Sequence, residues 1–213
     1  MLLVFAHFSV IAQLAVASTV GIAGGGAPVP RAVPFDTSIT VAKLAGVALD
    51  LEAGGRVRIV GGSTKLVRVL VTDRGKHCDD CIVAVSSIGN GLDVRTGRTH
   101  ARGTPADLQI QVEVPTQTNI LLTSAGGEVE IEGIDGYVSG TTDFGAVHLF
   151  RLSGAVQVET RRGDVTLRES YVRGSVHTNA GRVLLEDVGG DVQGTTSKGR
   201  VVERRVERVS PAP

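Results

Sequence analysis

Tryptophan is absent from this chain of 213 residues, and tyrosine and phenylalanine number only 2 and 5. Aromatic surface on which bases or sugars could stack is therefore scarce. An excess of charge of either sign is missing too: 22 Lys and Arg balance 22 Asp and Glu. That balance removes the electrostatic ground for a nucleic-acid binder, which shows a basic face and surplus Lys and Arg. A hydrophobic share of 42% at zero net charge also excludes wholesale disorder and a collagen-like chain. No stretch of about 12 residues after the N-terminal segment carries a helical apolar stripe. What abounds is glycine, 28 residues, about twice its ordinary share. The length allows one domain, or two small ones, with a real core.

The first 21 residues, MLLVFAHFSVIAQLAVASTVG, contain no Lys, Arg, Asp or Glu and lead into IAGGGAPVPRAVP. An apolar run, the small-residue site Ala15-Val16-Ala17 and a Gly/Pro stretch read as a signal peptide over residues 1–20 and a linker over 21–35. No basic residue precedes the run. A retained N-terminal anchor is the alternative, since about 20 apolar residues span a bilayer. Both readings put Phe35 onward outside the cytoplasm.

An internal repeat governs the C-terminal half. Gly127, Gly145, Gly163, Gly181 and Gly199 stand at strict intervals of 18 residues. Two residues after each come Val129, Val147, Val165, Val183 and Val201, and three before each come Ser124, Thr142, Thr160, Thr178 and Thr196. Four residues after the glycines stand Ile131, Leu149, Leu167, Leu185 and finally Glu203. Apolar residues at offsets of two and four share one face of a strand. An 18-residue unit of short strands and glycine corners is too short for helical repeats. It fits one turn of a single-stranded parallel β-helix or β-solenoid, with Val, Ile and Leu ladders inside and glycines where the chain bends or approaches a neighbour.

The aliphatic hexapeptide period of the left-handed β-helix is missing, because the sixth residue after Val129 is Asp135 and after Val147 is Ser153. The general crossover preference points to a right-handed coil. In the third unit Ser170, Val172 and Gly174 replace an apolar residue, a glycine and a valine, which reads as a bulge or reshaped corner. The charged end, Glu203 to Arg208, reads as a cap against end-to-end pairing. Residues 36–122 alternate like strands, as in Leu66-Val67-Arg68-Val69-Leu70-Val71, with less regular spacing. The expected organisation is thus an N-terminal β section over residues 36–122 that closes the N-terminal end of the same solenoid, and a five-turn repeat over 123–208 with a charged C-terminal cap. A separate β-sandwich is the rival for the first section.

The stretch Leu108-Gln109-Ile110-Gln111-Val112-Glu113-Val114-Pro115, then Asn119 to Ser124, then Gly127-Glu128-Val129-Glu130-Ile131-Glu132-Gly133, resembles the bacterial putative-adhesin family of unknown function, the DUF4097 type. The resemblance covers about residues 45–208. It implies a β-solenoid on exported or envelope proteins, without catalytic residues to carry over.

Few residues suggest chemistry. His77-Cys78-Asp79-Asp80-Cys81 holds both cysteines. A zinc site needs four ligands and a redox Cys-x-x-Cys needs a βα setting, so the expectation is a disulfide between Cys78 and Cys81 clamping a loop. Arg162-Gly163-Asp164 spells an integrin-recognition tripeptide, but the repeat already explains its glycine. Glu128, Glu130, Glu132 and Asp135 cluster at the first turn and read as a solvated face. Tyr137 and Tyr171, the only tyrosines, fall in different columns. No catalytic, cofactor-binding or metal-binding residue is expected. The expectation is an exported, non-enzymatic cell-envelope β-solenoid, an adhesin or surface-interaction module in the periplasm, at the cell surface or outside the cell. Its expected partner is an envelope protein or surface glycan. Nucleic acid is not expected, and membrane contact would come only through an uncleaved N-terminal segment. The alternatives are a carbohydrate-binding or polysaccharide-cleaving β-helix protein and an accessory protein in envelope-stress sensing.

Overall fold

A computed structural model of the chain describes residues 18–19, 31–40, 45–73, 80–88, 90–98 and 107–208. Most of the expected leader and linker, Cys78, and three of the five histidines lie outside the described residues. As expected, the protein is all-β, with 18 strands and no helix among the described residues. The first nine strands are β1 (Ser18–Thr19), β2 (Arg31–Ala32), β3 (Phe35–Thr40), β4 (Gly46–Leu51), β5 (Arg56–Gly62), β6 (Leu66–Asp73), β7 (Cys81–Ile88), β8 (Gly91–Arg98) and β9 (Leu108–Pro115). They are followed by β10 (Asn119–Ser124), β11 (Val129–Glu132), β12 (Asp135–Phe144), β13 (Val147–Phe150), β14 (Ser153–Arg162), β15 (Val165–Ala180), β16 (Val183–Gly190), β17 (Val192–Lys198) and β18 (Val201–Arg208).

Pairing is mixed in direction. From β10 onward it is parallel, and each partner stands 18 residues further on, as in Val129↔Val147, Val147↔Val165, Val165↔Val183 and Val183↔Val201. The same offset holds on the second ladder, where Thr142↔Thr160, Thr160↔Thr178 and Thr178↔Thr196 are partners. The N-terminal strands join the end of this stack. β4 pairs parallel with β10 and β5 with β11, so Val57 and Ile59 stand beside Val129 and Ile131. Beyond them β4 and β5 pair parallel with β8 and β9, and these take antiparallel partners in β7 and β6.

Alternation explains the core. Inward Val and Ile or Leu at offsets of two and four are buried in every row from Val129 and Ile131 to Val183 and Leu185. One apolar cluster runs without a break from Phe35 to Val192. Each such side chain contributes about 1.5–3 kcal/mol on burial, against about 0.2–1 kcal/mol for an exposed cross-strand pair, so the interior ladders dominate. The glycine column has a steric cause: at Gly145, φ +111°, a Cβ would run into the carbonyl of Gly127 in the neighbouring row. The hydroxyl column lies close to the glycine corner. Ser124 and Thr142 donate to carbonyls two residues on, while Thr178 and Thr196 donate to the Gly163 and Gly181 carbonyls at 2.8 and 3.0 Å.

Three details go beyond the expectation. The third unit keeps its register from Ser153↔Tyr171 to Thr160↔Thr178 without an added residue, so it holds the reshaped corner and not a bulge: the positive φ that Gly154 and Gly190 take in their rows falls on Gly174 here. Buried Ser170 stands in by polar means, its hydroxyl donating to Arg168 O at 2.6 Å and accepting from Leu152 N at 3.0 Å. Second, in the acidic face at Glu128, Glu130 and Glu132 the first two side chains are exposed and all three are paired across the rows. β5 lies against it, and Arg56 reaches Glu128 at 2.9 Å while Arg58 reaches Glu130 at 3.6 Å and Glu132 at 3.3 Å. Third, glycine does not mark every corner. Arg151, Glu169, Asp187 and Arg205 all take positive φ, between +47° and +55°, in the column that begins with Gly133. Each non-glycine there costs about 1–2 kcal/mol of backbone strain. Ion pairs between Arg151 and Glu132, and between Arg205 and Asp187, work against that cost.

Candidate functional site

The two outward surfaces differ in how they use charge. On the ladder of β11, β13, the first part of β15, β16 and β18, neighbouring rows neutralise one another: Arg168 meets Glu186 at 2.5 Å, and Arg204 meets it at 3.5 Å. The hydrogen bond from Arg168, aided by the charges of Arg168 and Arg204 against an opposing effect of burial, holds the Glu186 carboxyl below its ordinary range. Asp187 is likewise held low, chiefly by its hydrogen bond from Arg205. Charges paired in this way leave little to offer a ligand.

On the other ladder, β12, β14, the later part of β15 and β17 turn amides and hydroxyls outward among fewer charges. One column reads Ser139, Gln157, Ser175, Gln193, and the next reads Thr141, Glu159, His177, Thr195. His177 donates from Nε2 to Asn179 Oδ1 at 2.9 Å, leaving Nδ1 to accept the Thr195 hydroxyl at 2.8 Å. A third column holds Tyr137, Ala155 and Arg173, and Asp191 follows one period later.

Tyr137, Gln157, Arg173, Ser175, Asp191 and Gln193 line a shallow depression of about 360 Å³ with small Ala155 among them. The ring of Tyr137 is fixed, because its hydroxyl donates to Gln157 Oε1 at 3.0 Å and its amide donates to Asn119 Oδ1 at 2.9 Å. Arg173 makes no ion pair with any described residue. Two positions before it stands Tyr171, the most exposed of the large apolar residues at 64%. Its ring leans over the neighbouring row, where a Cβ on Gly189 would come within 2.7 Å of ring carbon Cδ2. A groove of about 520 Å³ lies further along the same strands and is mostly acidic, with Asp50, Glu52, Asp143 and Glu159 beside Arg161.

These contacts missed by sequence reasoning had a readable signal. Tyr137 and Arg173 are two periods apart, so the repeat itself puts them in one column. The scarce tyrosines are thus not isolated, and an aromatic ring does stand among convergent polar groups. The repeat residues Gly127, Gly145, Gly163, Gly181 and Gly199 and their valines form corner and interior rather than a ligand site. Cys81 opens β7, is buried and is disulfide-bonded, whereas its expected partner Cys78 lies outside the described residues. In the Arg162-Gly163-Asp164 tripeptide, Asp164 accepts from the Arg182 amide at 2.8 Å and Arg162 lies over the Phe144 ring at 5.7 Å. Both side chains are already engaged within the fold.

No protein-family model matches the sequence, and no curated protein matches it. Solved structures similar to the chain include a putative cell adhesion protein from Clostridium sporogenes ATCC 15579, with 9% identity, TM-score 0.39, and coverage of 86% of this chain and 100% of the other. A putative adhesin from Bacteroides fragilis NCTC 9343 shares 10% identity at TM-score 0.32, over 89% of this chain and 100% of its own. A putative lipid binding protein from Parabacteroides distasonis ATCC 8503 shares 9% at TM-score 0.26, over 87% and 98%. At these values neither fold nor function transfers.

Proposed function

We propose that the chain is an exported, non-enzymatic cell-envelope protein whose paired rows are successive turns of a right-handed β-solenoid, used as a surface-interaction module. The observation that carries the reading is the uninterrupted 18-residue register from Ile120 to Arg208, with no segment inserted between rows. Such stacking makes a stiff, flat, repeating surface. It builds no deep cleft in which water could be excluded from a reaction. The apolar N-terminus, read as a leader or anchor, supports export. Zero net charge argues against nucleic acid and for a partner bound by shape and hydrogen bonds, either an envelope protein or a surface glycan.

The test is fractionation of bacterial cells that make the full chain, followed by pull-down from intact envelope. Recovery outside the cytoplasm and retention on envelope material are expected. Uniform recovery in the cytoplasm, or free chain that nothing in the envelope retains, contradicts the proposal.

A further inference from the structure

The depression beside Arg173 has a chemistry of its own. Its lining combines a fixed tyrosine ring, two amides, a hydroxyl, a carboxylate and a cation, and small Ala155 leaves its floor low. Sugar rings are recognised in this way: their C–H faces rest on aromatic carbon, while their hydroxyls meet amides and carboxylates. A protein hot spot instead centres on a fully desolvated pocket that takes an apolar anchor. The volume of about 360 Å³ is at the low end for a ligand site. Its shallowness suits a polymer lying across the rows better than a small molecule held inside.

We propose that this depression is a glycan-binding site selective for sugars that carry a carboxylate, such as hexuronates. The inference rests on the exported, surface-interaction reading above and names the ligand class of that surface. Arg173 decides the charge preference, since it is the one cation in the lining and has no carboxylate partner among the described residues. A guanidinium can take a carboxylate through two parallel hydrogen bonds. Asp191 and the amides of Gln157 and Gln193 accept and donate to hydroxyls of the same unit. Tyr171, two positions before Arg173 and mostly exposed, supplies a second ring towards which the chain of sugars can continue. Along the ladder, Ser139, Gln157, Ser175 and Gln193 repeat hydroxyl and amide at the strand spacing of about 4.8 Å, so successive units meet similar groups.

The composition provides its own probe. With no tryptophan and only Tyr137 and Tyr171, all tyrosine emission comes from the ring lining this depression and from the one two positions before Arg173. The purified full chain is titrated with oligogalacturonate, with a neutral galactan and with polyaspartate. A saturable change with oligogalacturonate is expected, with about tenfold weaker binding of the neutral glycan, the size of one lost charge-assisted hydrogen bond. R173Q should erase the preference, and Y171A should weaken binding of both glycans by about tenfold. K65Q, which removes the same charge at a distant exposed position, should change neither. Absence of a saturable response to any uronate overturns the proposal, as does unchanged selectivity in R173Q or equal competition by polyaspartate.

Envelope retention separates the two readings. If the full chain binds envelope in a way abolished by protease but not by periodate, its partner is a protein, and the glycan site falls while the interaction module stands. If it binds neither uronate nor envelope, both fall.

Discussion

Alanine at Gly145 probes the stacking at one of its tight approaches. Two costs add there. The backbone sits at φ +111°, a region L residues rarely adopt, which costs about 1–3 kcal/mol. The new Cβ would also press into the Gly127 carbonyl, a backbone group held by the next row, and such overpacking costs about 1–3 kcal/mol more. The expected loss is about 2–6 kcal/mol out of a total of about 5–15 kcal/mol for a domain. Gly62 gives the internal control, because a Cβ there meets nothing within 4 Å and its φ is unexceptional. Gly62→Ala should change stability by less than about 0.5 kcal/mol. Urea unfolding followed by far-UV circular dichroism reads both variants against the parent at constant m. Equal effects of the two substitutions would refute the reasoning, because the close approach would then carry no energetic weight.

Three other expectations follow from the same contacts. Val165→Asp and Val183→Asp each place an unpaired carboxylate in a fully buried ladder and should abolish the cooperative melt, so a retained melt contradicts the interior assignment. Glu186 and Asp187 have depressed folded-state pKa values, so their stabilisation is present above the ordinary carboxylate range near about 4 and is lost as pH falls through the folded values. Glu186→Gln should therefore narrow the fall in urea midpoint between neutral and strongly acidic pH, and an unchanged fall removes that residue from the acid response. Finally, Cys78 and Cys81 of unreduced exported protein should resist alkylation and label only after reduction. Labelling without reductant rules out the clamp.

What could be read in the sequence was whatever each row requires in kind. An inward position must be apolar and a corner pressed against the next row's carbonyl must be glycine, so Val129 to Val183 and Gly127 to Gly181 recur visibly. The corner at Gly133, Arg151, Glu169, Asp187 and Arg205 shares a backbone conformation but no side-chain chemistry, and it left no column to find. The register of the N-terminal strands on the stack was hidden for a different reason. β4 meets β10 as Val47↔Ile120 across a long sequence separation, with no period to relate them. The depression was half legible: period arithmetic joins Tyr137 to Arg173, whereas the fixed rotamer of Tyr137 depends on Gln157 and Asn119 and emerges only in three dimensions.

The stacked, periodic surface underlies both the proposed function and the glycan site, and excision tests it directly. Removing residues 147–164 deletes one full period and should let Val129 pair with Val165 in the same register. Removing residues 147–155 deletes half a period and should turn the remaining inward residues out of register. The account predicts a cooperative β-sheet melt for the first deletion, with a smaller denaturant m-value from the reduced buried surface, and no folded state for the second. Identical behaviour of the two deletions, both folded or both unfolded, would contradict it.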